Sequence, residues 1–428
     1  MPLLLTLSAQ APLTDVRAAD VDGDGVSELV LASAQGAGLI LEVVDGLLGG
    51  PQVAVQLPGV ASWWDAGHGL WVVDDQGLTE QVSGRRVLQA ATALPRLGSG
   101  SPQRANLVVD LDHDGRVEVL VWARDSLMVV SESGSWDNIS LPSRTELELR
   151  SEEGGQVLST TVVPASVAVA DVDGDGQEEL LVIATDIAVH GASGELARWP
   201  LPLGLVRPPV ARGQESWTTD AHWADLDGDG RTDLLVHQLR SDGSLGGTES
   251  RVYLHLGTAT GLGPAQVVER EAGVDDLFVV DLDGDGDLDV LMPSLSLDIG
   301  NLAQAVMARS VDVELLLMPM EEGVLGPPRR LRELALPLEG DKAAWSLFED
   351  LDGDGLPDLA VAVGSSLSVY LGEGDSVSER AWMELELEGP VENLWAVDLS
   401  GDGAPELVGW APGDARVSVI QLREIAQP

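Results

Sequence analysis

Residues 225–233 read Asp225-Leu226-Asp227-Gly228-Asp229-Gly230-Arg231-Thr232-Asp233, and this nine-residue signature is written seven times along the chain. Acids stand at positions 1, 3, 5 and 9. The copies are Asp20, Asp22, Asp24 and Glu28; Asp110, Asp112, Asp114 and Glu118; Asp171, Asp173, Asp175 and Glu179; and Asp225, Asp227, Asp229 and Asp233. They continue with Asp281, Asp283, Asp285 and Asp289; Asp350, Asp352, Asp354 and Asp358; and Asp398, Ser400, Asp402 and Glu406, where a serine replaces one acid. Side chains at alternate positions of a tightly curled loop converge on one point, and hard oxygen ligands in that number suit Ca²⁺. Position 7 (Val26, Arg116, Gln177, Arg231, Asp287, Leu356, Ala404) is counted with the ligands. Position 6 is glycine in every copy, where the backbone must turn through a conformation that a Cβ disfavours. About seven calcium ions are expected.

The first half of this loop also opens an EF-hand, whose bidentate Glu stands at position 12. Here position 12 is Leu31, Val121, Val182, Val236, Met292, Val361 and Gly409, and none ligates through its side chain. Strand-like runs flank the loop instead, as in Leu277-Phe278-Val279-Val280 before it and Glu179-Leu180-Leu181-Val182-Ile183 after it. The loop therefore joins two strands of a hairpin. Position 2 is Val or Leu throughout (Val21, Leu111, Val172, Leu226, Leu282, Leu351, Leu399), which predicts an aliphatic plug pointing from the loop into the core.

Successive copies begin 90, 61, 54, 56, 69 and 48 residues apart. Midway along the longest interval, Val60-Ala61-Ser62-Trp63-Trp64-Asp65-Ala66-Gly67-His68-Gly69-Leu70-Trp71-Val72-Val73 reads as the same hairpin with its calcium ligands lost. Each unit reads as four short strands, and a repeated four-stranded antiparallel sheet is a propeller blade. The expectation is an all-β β-propeller of eight blades over 1–428, with blades near 10–57, 58–93, 94–161, 162–213, 214–270, 271–335, 336–388 and 389–428 plus 1–9. The last unit offers three strands only, so Leu3–Leu7 is expected to close it and hide both free edges. Segments from about Ser131 to Pro164 and from about Pro293 to Arg330 exceed what a blade needs. They are expected to be extended hairpins or loops.

The chain has 428 residues and a net charge of −47, with 71 acidic and 24 basic residues. Seven Ca²⁺ would reduce that to near −33, which disfavours nucleic acid and anionic membranes as partners. Cysteine is absent, so neither disulfides nor thiolate metal sites exist. No stretch approaches a membrane span, and the N-terminus lacks the basic region of a signal peptide.

These loops, set between strands at roughly fifty-residue intervals, resemble the FG-GAP/VCBS repeats of the integrin α-subunit N-terminal propeller. Leu407-Val408-Gly409-Trp410-Ala411-Pro412-Gly413 is close to the segment that names the repeat. Similar calcium loops occur in sugar-binding propellers and in rhamnogalacturonan lyases. Integrin-type propellers have seven blades, which makes seven the alternative count. The resemblance implies a calcium-stabilised, secreted or cell-surface module for adhesion or ligand binding, non-enzymatic, with a protein or glycan ligand on its loop faces. The alternatives are a carbohydrate-active enzyme such as a polysaccharide lyase, or a structural module of a surface assembly. No H-E-x-x-H and no G-x-S-x-G occurs, and the six histidines are His68, His113, His190, His222, His237 and His255. Tryptophan is the dominant aromatic, 12 residues against two Tyr and two Phe, and packing between blades is the favoured reading over sugar stacking. Asn138-Ile139-Ser140 is formally a glycosylation acceptor.

Overall fold

The computed structural model describes residues 3–22, 24–35, 38–45, 51–57, 63–65, 70–74, 77–81, 86–89, 103–104, 108–111, 118–122, 126–131, 136–141, 144–152, 155–163, 165–191, 194–205, 216–241, 248–270, 273–274, 277–295, 310–337 and 343–422. Among them there is no helix, so no helix is long and apolar enough to cross a membrane. The fold is an all-β β-propeller of four-stranded antiparallel blades. Two compact units divide the chain: Met1–Asp110, Gly115–Ile139 and Gly340–Pro428 form one, Leu111–Asp114 and Ser140–Glu339 the other.

Eight sheets of four or five strands are described, and in seven of them every pairing of known register is antiparallel. The eighth is the unit around Asp65, which lacks the repeated acids. Its strands Trp63–Asp65, Trp71–Asp74, Gly77–Glu80 and Arg86–Gln89 follow the blade pattern, but Gln103–Arg104 adds alongside Trp63–Trp64 in parallel.

The blade at Ser216–Ala224, Asp233–Ser241, Thr248–His255 and Gln266–Arg270 shows how sequence sets burial. Its second strand opens with six buried residues in succession, because both of its faces pack on apolar side chains. Its edge strand alternates between half-buried and exposed, as one covered face requires. The same gradient recurs between Asp358–Val363 and Met383–Glu386.

The expected closure is present. Leu3–Ser8 pairs antiparallel with Arg416–Gln421, from Leu3 opposite Gln421 to Ser8 opposite Arg416, and supplies the fourth strand of the sheet formed by Asn393–Val397, Glu406–Trp410 and Arg416–Gln421. Further backbone bonds continue the seam, Ala9 N to Ala415 O at 2.8 Å and Leu13 N to Asp414 O at 2.7 Å. The first long segment contains a two-stranded hairpin, Arg144–Glu152 with Gly155–Val163. The second holds a short hairpin, Met320–Glu321 with Val324–Leu325, and residues 296–309 within it lie outside the described residues.

All seven position-2 residues are buried. Leu226 belongs to a core cluster that joins its own blade, through Leu235 and Leu254, to the next, through Val290 and Met318. Val21, Leu351 and Leu399 occupy corresponding clusters in the other unit. Each of these four plugs therefore ties a loop to a core shared with a neighbouring sheet.

Candidate metal centres

Each described loop is organised by its first aspartate. The Asp171 carboxylate accepts the N–H of Gly174 and of Gly176, both at 2.8 Å, and Asp281 accepts those of Gly284 at 2.8 Å and Gly286 at 3.1 Å. Asp20, Asp350 and Asp398 likewise bind the N–H of Gly25, Gly355 and Gly403. Position 5 accepts the N–H of position 7 at 2.9 Å in each described loop, which places Val26, Gln177, Arg231, Asp287, Leu356 and Ala404. Such side chain-to-backbone bonds hold the curl without secondary structure.

The curl brings acids together. Carboxylate oxygens lie within 4.8 Å of one another in Asp20, Asp22 and Glu28; in Asp171, Asp173 and Glu179; in Asp225, Asp227 and Asp229; in Asp281, Asp283 and Asp285; and in Asp350, Asp352 and Asp358. Among the described residues the Asp398 loop, with Ser400 at position 3, brings no three acids that close. Residues 112–117, and with them Asp112, His113, Asp114 and Arg116, lie outside the described residues.

The ninth-position acid has a second task that spacing did not reveal: it receives the N–H of the position-2 plug. The distances are 2.6 Å for Glu28 to Val21, 3.0 Å for Glu179 to Val172, and 2.8 Å for Asp233 to Leu226, Asp358 to Leu351 and Glu406 to Leu399. In three loops the other oxygen reaches the end of the third strand, from Asp233 to Gly257 N at 2.6 Å, Asp289 to Met320 N at 2.9 Å and Asp358 to Gly372 N at 2.8 Å. Glu28, Glu179 and Asp358 keep an oxygen near positions 1 and 3, whereas Asp233 and Asp289 stand apart from trios formed by positions 1, 3 and 5.

Burial first, then neighbouring carboxylates, pushes the ninth-position acids upward against these hydrogen bonds, to about 6 for both Asp233 and Asp289. Asp227 is also raised, by burial and then by Asp229, Asp225 and Asp287. Asp398 goes the other way: burial raises it, but the N–H groups of Gly403, Gly401 and Ser400 together outweigh that.

The donor set fits a hard dication. Carboxylate oxygens dominate the described curls, and the Oδ1 of Asp225 is buried without a hydrogen-bond partner. Like charges this close favour either protonation of one acid or a cation that neutralises them. Asp20, Asp22 and Glu28, and the corresponding acids of the other loops, would hold it. Arg231 Nη1, 2.9 Å from Asp229 Oδ2, partly serves that purpose in its own loop.

Among the described residues, no comparable convergence surrounds a histidine. His237 is buried with Nε2 2.8 Å from Ser250 Oγ, and buried His255 spans Gly263 O at 2.9 Å and Leu203 O at 2.8 Å. His190 and His222 are half-buried, and His68 lies outside the described residues. Trp71 and Trp410 are buried, while Trp223 and Trp395 pack half-buried against core clusters, as the packing reading expects. Trp382 is 45% exposed. The side chains of Trp63, Trp64 and Trp345 lie outside the description.

Residues 350–409 match the family model of the FG-GAP-like repeat. No curated protein sequence matches the chain. Among solved structures, BBS1N in complex with ARL6DN is similar at 12% identity and a TM-score of 0.44, covering 99% of this chain and 97% of that one. The rhamnogalacturonan lyase YesW is similar at 18% identity and a TM-score of 0.33, covering 68% of this chain and 57% of that one.

Proposed function

From the FG-GAP-like repeat at residues 350–409 and the acid clusters that recur through the chain, we propose a calcium-stabilised β-propeller that works outside the cell as a non-enzymatic adhesion or ligand-binding module. The observation that carries the calcium reading is the repeated trio of carboxylates, with the partnerless Asp225 Oδ1 buried inside one of them. Calcium is held there by oxygen donors, and its chemistry is charge neutralisation and cross-linking of the loop backbone. The net charge of −47 and the absence of cysteine support a calcium-rich, extracellular setting in which metal clips replace disulfides. The ligand is a protein or glycan met on the loop faces.

The test is metal analysis of the purified chain after dialysis against calcium, followed by binding to immobilised glycans and extracellular proteins with and without chelator. Several bound calcium ions per chain, and ligand capture that chelator reverses, support the proposal. A chain that retains no calcium would overturn it.

A further inference from the structure

Within the unit that contains Ser140–Glu339, position 8 of one loop donates to the first or second residue of the loop before it. Thr232, at position 8 of its loop, donates its N–H at 2.9 Å and its hydroxyl at 2.6 Å to the carbonyl of Asp171, the first acid of the preceding loop. Leu288, at position 8 of the following loop, donates its N–H at 2.7 Å to the carbonyl of Leu226, which stands between Asp225 and Asp227. Beside each bond the position-4 glycine lies against the next loop. A methyl group on Gly174 would fall 2.8 Å from Gly230 O, and one on Gly228 would fall 3.3 Å from both Gly286 O and Asp287 Oδ1. No residue other than glycine fits at Gly174 without displacing backbone.

Two loops of the other unit depart from this pattern in sequence. Position 8 is Pro357 in the Asp350 loop and Pro405 in the Asp398 loop, and proline has no N–H to give. The approach of Gly401 to Val26, 2.9 Å to Cγ2 from a methyl placed on the glycine, is made with an apolar side chain.

We propose that the loops at Asp171, Asp225 and Asp281 take up calcium as one coupled set, while the loops at Asp350 and Asp398 fill independently. This rests on the calcium reading of the loops. Filling a loop fixes its backbone from the first acid to the ninth. The shared bonds start or end within one residue of a ligand position, so ordering one loop removes conformational freedom from the next, which then loses less on filling. Repulsion between the bound ions opposes this coupling, and salt screens it. By linkage the help is reciprocal.

Hydrogen exchange of the full chain across a calcium titration tests this, followed on peptides covering 171–179, 225–233, 281–289, 350–358 and 398–406. The first three should gain protection over one common calcium range, more steeply than a single-site curve, and the last two at midpoints of their own. Thr232→Pro, which copies the proline of the other loops, should part the midpoints of the Asp171 and Asp225 loops by about five-fold or more while the Asp225 and Asp281 loops stay together. Leu288→Pro should do the converse. Thr232→Val keeps the N–H and removes only the hydroxyl, so it should part the same pair by less, and it serves if the proline variant does not fold. Scattered midpoints for the three loops in the unsubstituted chain would overturn the coupling while leaving calcium binding intact. No gain in protection at any loop would overturn the calcium reading, and the coupling with it.

Discussion

Gly230, at position 6 of its loop, stands at φ +87° with nothing within 4 Å of where a Cβ would be. Gly230→Ala should therefore cost conformational strain alone, about 1–2 kcal/mol. Gly174→Ala meets the Gly230 carbonyl at 2.8 Å as well as a φ of +76°, so its loss in a urea melt should be the larger. Equal losses would show that the two loops stand farther apart than described here. The ninth-position acids give a pH dependence of unusual sign. Asp233 and Asp289 have folded values near 6, above the ordinary carboxylate value, so the folded chain binds more protons than the unfolded one between about pH 4 and 6. Their contribution is then largest at the acidic end of that window and is lost as pH rises through 6. In calcium-free buffer, stability should rise as pH falls from 7 to 5, and Asp233→Asn should flatten that slope. A calcium-free chain that instead weakens between pH 7 and 5 would contradict the buried setting of these two acids. The curl at each loop was legible because acids and glycines alternate within nine residues. The second duty of Asp233 was not, since its partner Gly257 lies 24 residues away and only the folded sheet brings its N–H to the carboxylate.

Among elements, the hairpin loop and its plug act together. Leu226 is fully buried in the cluster that joins two blades, so Leu226→Ala should cost about 2–5 kcal/mol in chemical denaturation. Exposed Leu203, on a turn, should tolerate the same change with little loss, because surface substitutions away from such features rarely exceed about 0.5 kcal/mol. Strands were readable from short apolar runs beside the loops: Phe278–Val280 and Glu179–Ile183 fall where the sequence places them. The hairpin of Arg144–Glu152 and Gly155–Val163 was anticipated as an excess of chain. The parallel addition of Gln103–Arg104 to Trp63–Trp64 was not, because two residues carry no periodicity and parallel partners need no turn between them. Contacts between loops were hidden for a related reason. Pro357 and Pro405 are visible in the sequence, but a missing N–H signifies something only once Thr232 and Leu288 show where that donor would go.

For the molecule as a whole, the charge of −47 opposes compaction wherever the carboxylates are left bare. Excess chelator should lower the melting temperature strongly, since each ion bound only by the folded state contributes RT ln(1 + [L]/Kd) and several sites add. An unchanged melting curve would remove calcium from the folding account. Added monovalent salt should recover part of the loss by screening, and only part, because it cannot cross-link a loop. Deleting residues 1–8 should leave Arg416–Gln421 as an open edge and turn a folded chain into an aggregating one, which light scattering would detect. That seam also sets a schedule for the ribosome. The partner of Leu3, Gln421, is made hundreds of residues after it, about 20 to 80 s at ordinary elongation rates. Through that interval an apolar strand must wait unpaired while every blade between is translated. The last sheet to close thus depends on keeping the first strand out of premature company, a demand on biosynthesis rather than on the finished protein.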